Sequence, residues 1–95
     1  MMSMSWKVEQ WMDGGEDLKE PVVFEGVKIY SDALTNAMVI ETDEGVDSGV
    51  IMKLYPFRVS IVGDMVWVTG LRKPKGQSIE IVKVILKPKP EGWDS

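Results

Sequence analysis

Cysteine and histidine are both absent from the 95 residues. The first absence removes disulfides and thiolate metal sites, the second removes imidazole ligands, and together they remove every Ser-His or Cys-His nucleophilic arrangement. No apolar run approaches the roughly 20 residues that span a bilayer, and Met1 to Ser5 lacks the basic start and apolar stretch of a secretory signal. A cytoplasmic protein with no membrane partner is therefore expected. The remaining reactive side chains are carboxylates, lysines and serines, and they stand in no recognisable catalytic arrangement. An enzyme, a cofactor and a small-molecule substrate are accordingly not expected.

Apolar residues make up 44% of the chain, too many for a disordered segment. A domain of this size buries only about 60 to 65% of the surface exposed by its unfolded chain, so folding alone leaves little margin and subunit contacts would add to it. The net charge of −4 conceals an asymmetry. Residues 1 to 50 hold eleven acids and three bases, whereas residues 51 to 95 hold four acids and eight bases. Such halves suit a self-complementary surface between copies, or simply an unevenly charged solvated one, and give no uniformly basic nucleic-acid footprint.

Along the chain the period is mostly two. Ser5 to Met12 sets Trp6, Val8 and Met12 against Lys7, Glu9 and Trp11, as a strand does, and Asp13-Gly14-Gly15 supplies a hairpin turn. A short helix ended by Gly14 is the competing reading. Val22 to Tyr30 is rich in β-branched and aromatic residues, with Gly26 placed for a bulge or bend. Ser31 to Glu41 reads as a turn followed by a strand, with a capped helix as the alternative. Pro56 marks a bend or an unpaired edge between extended segments at 50 to 55 and 57 to 62. Gly63-Asp64 forms a two-residue hairpin loop that sets residue 61 opposite 66 and 59 opposite 68, placing Val59, Ile61, Val66 and Val68 on one face. Ser78 to Lys87 reads as a last strand whose two apolar faces (Ile79, Ile81, Ile85 and Val82, Val84, Leu86) suggest cover on both sides. The expected division is one domain over 1–87 and a mobile, proline-containing tail over 88–95.

Phe24-Glu25-Gly26 followed by Asp32-Ala33-Leu34-Thr35-Asn36 resembles the first motif of the Sm-like RNA-associated proteins, and Ile61-Val62-Gly63-Asp64-Met65-Val66-Trp67-Val68 resembles the second. The resemblance spans about two thirds of the chain. It implies an all-β fold, a strongly bent five-stranded antiparallel barrel to which 78–87 adds an extra C-terminal strand, in a homo-oligomeric ring that binds RNA weakly or serves as a protein scaffold. By the same resemblance the RNA-binding positions are Asp32, Leu34, Asn36, Val62, Gly63 and Asp64: Asp32 bracing the loop, Asn36 offering its amide to a base, Gly63 allowing close backbone approach. Leu34 and Val62 depart from the family, which favours an aromatic or histidine at the first and a basic residue at the second. The alternative fold is a monomeric OB-type five-stranded barrel, binding single strands or a protein, that leaves Trp6 to Met12 outside.

Three further groups stand out. Glu41, Asp43, Glu44 and Asp47 resemble a hard-cation loop in composition, but their spacing fits no EF-hand, so the loop is read as solvated and no metal site is assigned. Arg72, Lys73 and Lys75 are candidate basic contacts to a phosphate backbone, or charges that protect a sheet edge. Trp67 with Trp11 suits a stacking platform, a subunit contact or burial.

Overall fold

The computed structural model describes residues 4–42, 49–73, 76 and 78–90. Six strands form a closed antiparallel barrel, β1 (Met4–Asp13), β2 (Glu16–Ser31), β3 (Met38–Thr42), β4 (Val50–Val62), β5 (Met65–Arg72) and β6 (Glu80–Pro90), in the order of the chain. No described helix is long and apolar enough to cross a membrane. The all-β reading holds, and its five-stranded form needs correction. β6 pairs with β5 on one side and with β1 on the other, so it closes the circuit and is no addition to a finished barrel. The OB-type alternative fails on the same pairings: an OB barrel follows a Greek key, whereas every neighbour here is consecutive and Trp6 to Met12 lies within the wall.

Alternation decides which residues enter the core. Val8, Val27, Ile40, Met52, Leu54, Val68, Val82, Val84 and Leu86 form the buried cluster, with Trp6, Phe24, Ile29 and Val66 packed against it. Removing each such aliphatic chain from water contributes roughly 1.5 to 3 kcal/mol before entropy is charged. Gln10 is the buried polar exception, its Nε2 donating to the Met12 carbonyl at 3.2 Å where β1 bulges. That bulge breaks the expected run of Trp6, Val8 and Met12.

Gly26 has a φ of 64° at a register shift between β1 and β2, as a glycine bulge requires. At the β4–β5 hairpin, Val59 faces Val68 and Ile61 faces Val66, the expected register. Gly63 takes the positive φ of 64° while Asp64 does not, which fits a turn with glycine first. The shared face is only half used. Val68 is buried and Val66 packs on the core, but Val59 and Ile61 are exposed on the part of β4 that runs past the end of β3.

β6 also differs from expectation at both faces and at its end. Val82, Val84 and Leu86 are buried, whereas Ile79 and Ile81 face solvent. Pro88 pairs with Trp6 and Pro90 with Met4, so three residues expected in the tail belong to the strand. Beyond Leu86 β6 no longer pairs with β5, and Pro88 and Pro90 stand where the strand has β1 as its one described neighbour, an edge position that accepts a residue with no N–H. Residues 91–95 lie outside the described residues.

Candidate functional site

Strand lengths create the first candidate surface. β3 has 5 residues between a β2 of 16 and a β4 of 13. It pairs with β2 only over Val27 to Ser31 and with β4 only over Val50 to Leu54. Two stretches therefore have one edge without a described partner: β2 from Glu16 to Phe24, which pairs only with β1, and β4 from Phe57 to Val62, which pairs only with β5. They extend past opposite ends of β3. Phe57, Val59, Ile61 and Val62 are all exposed on the β4 stretch, Ile61 at 75%. The β2 stretch carries Glu16, Asp17 and Glu20 against Lys19, while the β4 stretch carries Arg58 as its one charge.

The turn between β2 and β3 holds three of the motif residues. The Asp32 N–H donates to the Ala37 carbonyl at 2.8 Å and the Asn36 N–H to the Asp32 carbonyl at 2.7 Å. The Asp32 carboxylate accepts the Leu34 N–H at 2.9 Å and stands 3.9 Å from Lys53 Nζ. The Leu34 N–H, with help from Thr35 and Lys53, holds the Asp32 carboxyl below the usual carboxylate range. Asn36 adopts φ 62°, the left-handed conformation that asparagine tolerates. Leu34 is 94% exposed. Asp32 thus braces its own loop, as expected, and Asn36 has a conformational role that needs no ligand.

Val62, Gly63 and Asp64 lie at the tip of the β4–β5 hairpin. Met38, which follows the Asp32 turn, pairs with Leu54, and Val62 lies eight residues further along β4. At about 3.3 Å per residue this is a strand path of about 26 Å. No hydrogen bond or ion pair among the described residues joins the two turns.

The basic candidates separate as well. Arg72 is engaged internally, bonding Asp13 at 2.7 Å and gripping Glu80 through both Nε and Nη2, which ties the end of β5 to β1 and β6. Lys73 is exposed and makes no ion pair with a described residue, and Lys75 lies outside the described residues. Asp43, Glu44 and Asp47 lie outside them too, while Glu41 accepts the Tyr30 hydroxyl at 2.8 Å. No group of acidic side chains suited to a metal ion occurs among the described residues.

The outer wall of β1, β6 and β5 carries a second surface. Trp11 and Trp67 line one cleft of about 230 Å³ with Thr69, Lys83 and Ile85. Beside it Glu9 accepts Lys87 Nζ at 3.1 Å and the Trp11 indole N–H at 3.4 Å, with Lys7 at 4.0 Å. The Lys87 bond is the main reason the Glu9 carboxyl stays below its ordinary range. The two tryptophans were legible as a possible platform, but Lys83 and Ile85 were not, although their shared parity on β6 was a usable signal.

No family model, curated protein or solved structure matches this chain.

Proposed function

We propose that the protein is a non-catalytic scaffold whose copies join head to tail through open strand edges into a homo-oligomeric ring. The observation that carries this reading is the β4 edge from Phe57 to Val62. It combines backbone groups without a described partner with four exposed apolar side chains and a single charge. Proteins ordinarily blunt such an edge with lysine, proline or a covering segment, because it pairs readily with another strand. β2 offers the complement from Glu16 to Phe24, where three carboxylates and one lysine would meet Arg58. Because the two open edges lie past opposite ends of β3, joining one to the other leaves each assembly with a free edge at both ends. Such a heterologous contact closes into a ring where its rotation permits. The overall charge asymmetry between the halves of the chain supports the same pairing.

RNA contact at Asp32, Leu34, Asn36 and Gly63 has less support. The Asp32 carboxylate and the Asn36 backbone serve their own turn, and the two turns share no bond.

Light scattering coupled to size exclusion at micromolar concentration tests the reading. The expected mass is a multiple of 10.7 kDa that falls towards one chain for Ile61→Lys, a substitution at an exposed position. A wild-type protein that stays strictly monomeric sinks the proposal.

A further inference from the structure

We infer that the cleft between Trp11 and Trp67 binds single-stranded nucleic acid, one base lying between the indoles and Lys83 meeting its phosphate. Alternation sets the arrangement. Val82, Val84 and Leu86 point into the barrel, so Lys83 and Ile85 form the ridge of β6 on the water side. Trp67 pairs across from Ile85 on β5, and Trp11 is the bulged residue of β1 between Gln10, opposite Val84, and Met12, opposite Lys83. Neighbouring strands lie about 4.8 Å apart, so the backbones carrying the two indoles are about 10 Å apart with β6 between them. That spacing suits one flat ring system flanked by two others. The cleft of about 230 Å³ falls below the roughly 300 to 1,000 Å³ of pockets for drug-sized ligands, as suits a single base.

Charge selects among flat ligands. Lys83 is the one charged residue that lines the cleft, and beside it Glu9 holds the Trp11 indole N–H with Lys7 and Lys87 on the same carboxylate. Lys7 and Lys87 are spent on Glu9, whereas Lys83 lines the cleft and makes no ion pair with a described residue. An unpaired ammonium beside two aromatic faces, 46% of Trp67 being exposed, is the combination that holds a single strand without reading its sequence. One strand separates the cleft from each open edge: Trp67 pairs with Ser60 of β4, and Gln10 and Met12, which flank Trp11, pair with Val22 and Asp17 of β2, so a strand added to the far side of β4 or β2 does not pair with the strands that line the cleft.

Fluorescence anisotropy with fluorescein-labelled oligo-U at low salt, with labelled oligo-dT and a polyproline peptide in parallel, is the test. Both oligonucleotides are expected to bind. Trp67→Ala and Trp11→Ala should each weaken binding by roughly 5- to 150-fold, the stacking of one base. Lys83→Ala should lower the slope of log affinity against log salt by about 0.7, one single-strand phosphate. Lys83→Glu, at an exposed strand position, is the variant to use if a tryptophan variant fails to fold, and should also abolish low-salt binding. The inference is overturned if neither oligonucleotide binds, if binding survives these substitutions but is lost in Asn36→Ala, or if the cleft takes the polyproline peptide alone. An oligomer that assembles normally without binding would refute this inference while leaving the scaffold reading intact.

Discussion

Gly70 is where the wall of the barrel has least room, and Gly70→Ala should expose that limit. Gly70 pairs with Pro56 on one side and Val82 on the other and is buried. A methyl group there would stand 2.5 Å from Leu54 Cδ1, 2.9 Å from the Tyr55 carbonyl oxygen and 3.1 Å from Pro56 Cα. Its φ is not in the positive region, so the penalty is one of space and not of backbone conformation. Overpacking costs typically 1 to 3 kcal/mol, and the upper half applies because two of the three obstructing atoms are backbone held in the β4–β5 ladder. For a domain of this size each kcal/mol lowers the melting temperature by about 4 to 8 °C, so a fall of about 10 to 20 °C is expected. Far-UV circular dichroism at one fixed protein concentration reads it, since assembly would make Tm concentration-dependent. Leu54→Val withdraws the nearest atom and should make the double variant less destabilised than the two single effects summed. A Gly70→Ala protein melting within about 2 °C of wild type would refute the steric argument.

Arg72 is tied to Asp13 and Glu80, its side chain 19% exposed and that of Glu80 16%. Arg72→Ala strands a half-buried carboxylate, and after allowing for solvent screening a loss of about 1 to 2 kcal/mol is expected in the urea midpoint. Arg72→Lys should recover only part of it, because an ammonium cannot reproduce the fork; an unchanged midpoint in Arg72→Ala would count against the tie. Folding lowers the pKa of both Glu9 and Asp32, so their stabilisation is present above the unfolded carboxylate range and is lost as pH falls through the folded values. Between about pH 5 and pH 2 the wild type should therefore lose Tm more steeply than a Glu9→Gln, Asp32→Asn variant, and parallel acid limbs would contradict the hydrogen-bond assignments.

Features set by a few adjacent residues were legible in the sequence. The Gly63-Asp64 turn fixed its own register, Gly26 announced a bulge, and Pro56 marked the start of an open edge, since each acts through local backbone geometry. Features that depend on a partner strand were not. Whether Ser78 to Lys87 ends a barrel or closes it depends on β1, some seventy residues away in sequence, and nothing in either segment specifies the other. The place of Met12 was hidden for a related reason: the bulge after Gln10 reverses the parity of every residue that follows it, and that bulge belongs to the pairing with β2 and β6. The candidate site was half visible in the same way. Trp11 and Trp67 are conspicuous, but the ridge that joins them exists only once β6 lies between β1 and β5.

The short β3 links this architecture to the proposed assembly, and hydrogen exchange can separate edge pairing from any other contact. Within β4, amides directed at β5 are bonded in a single chain, whereas alternate amides from Phe57 to Val62 point to the open side. In a monomer, the alternation should be visible as protected and freely exchanging amides along the same six residues. Strand addition would slow exchange at the outward amides of β4 and at those of Glu16 to Phe24 together, leaving out Pro21, which has no N–H. An assembly built instead on the outer wall around Ile79, Ile81 and Trp67 would hide side chains but leave the outward β4 amides unbonded. Concentration-dependent protection at both edges is thus the expected signature, and an oligomer whose β4 edge still exchanges as in the monomer would exclude head-to-tail strand pairing even though the protein assembles.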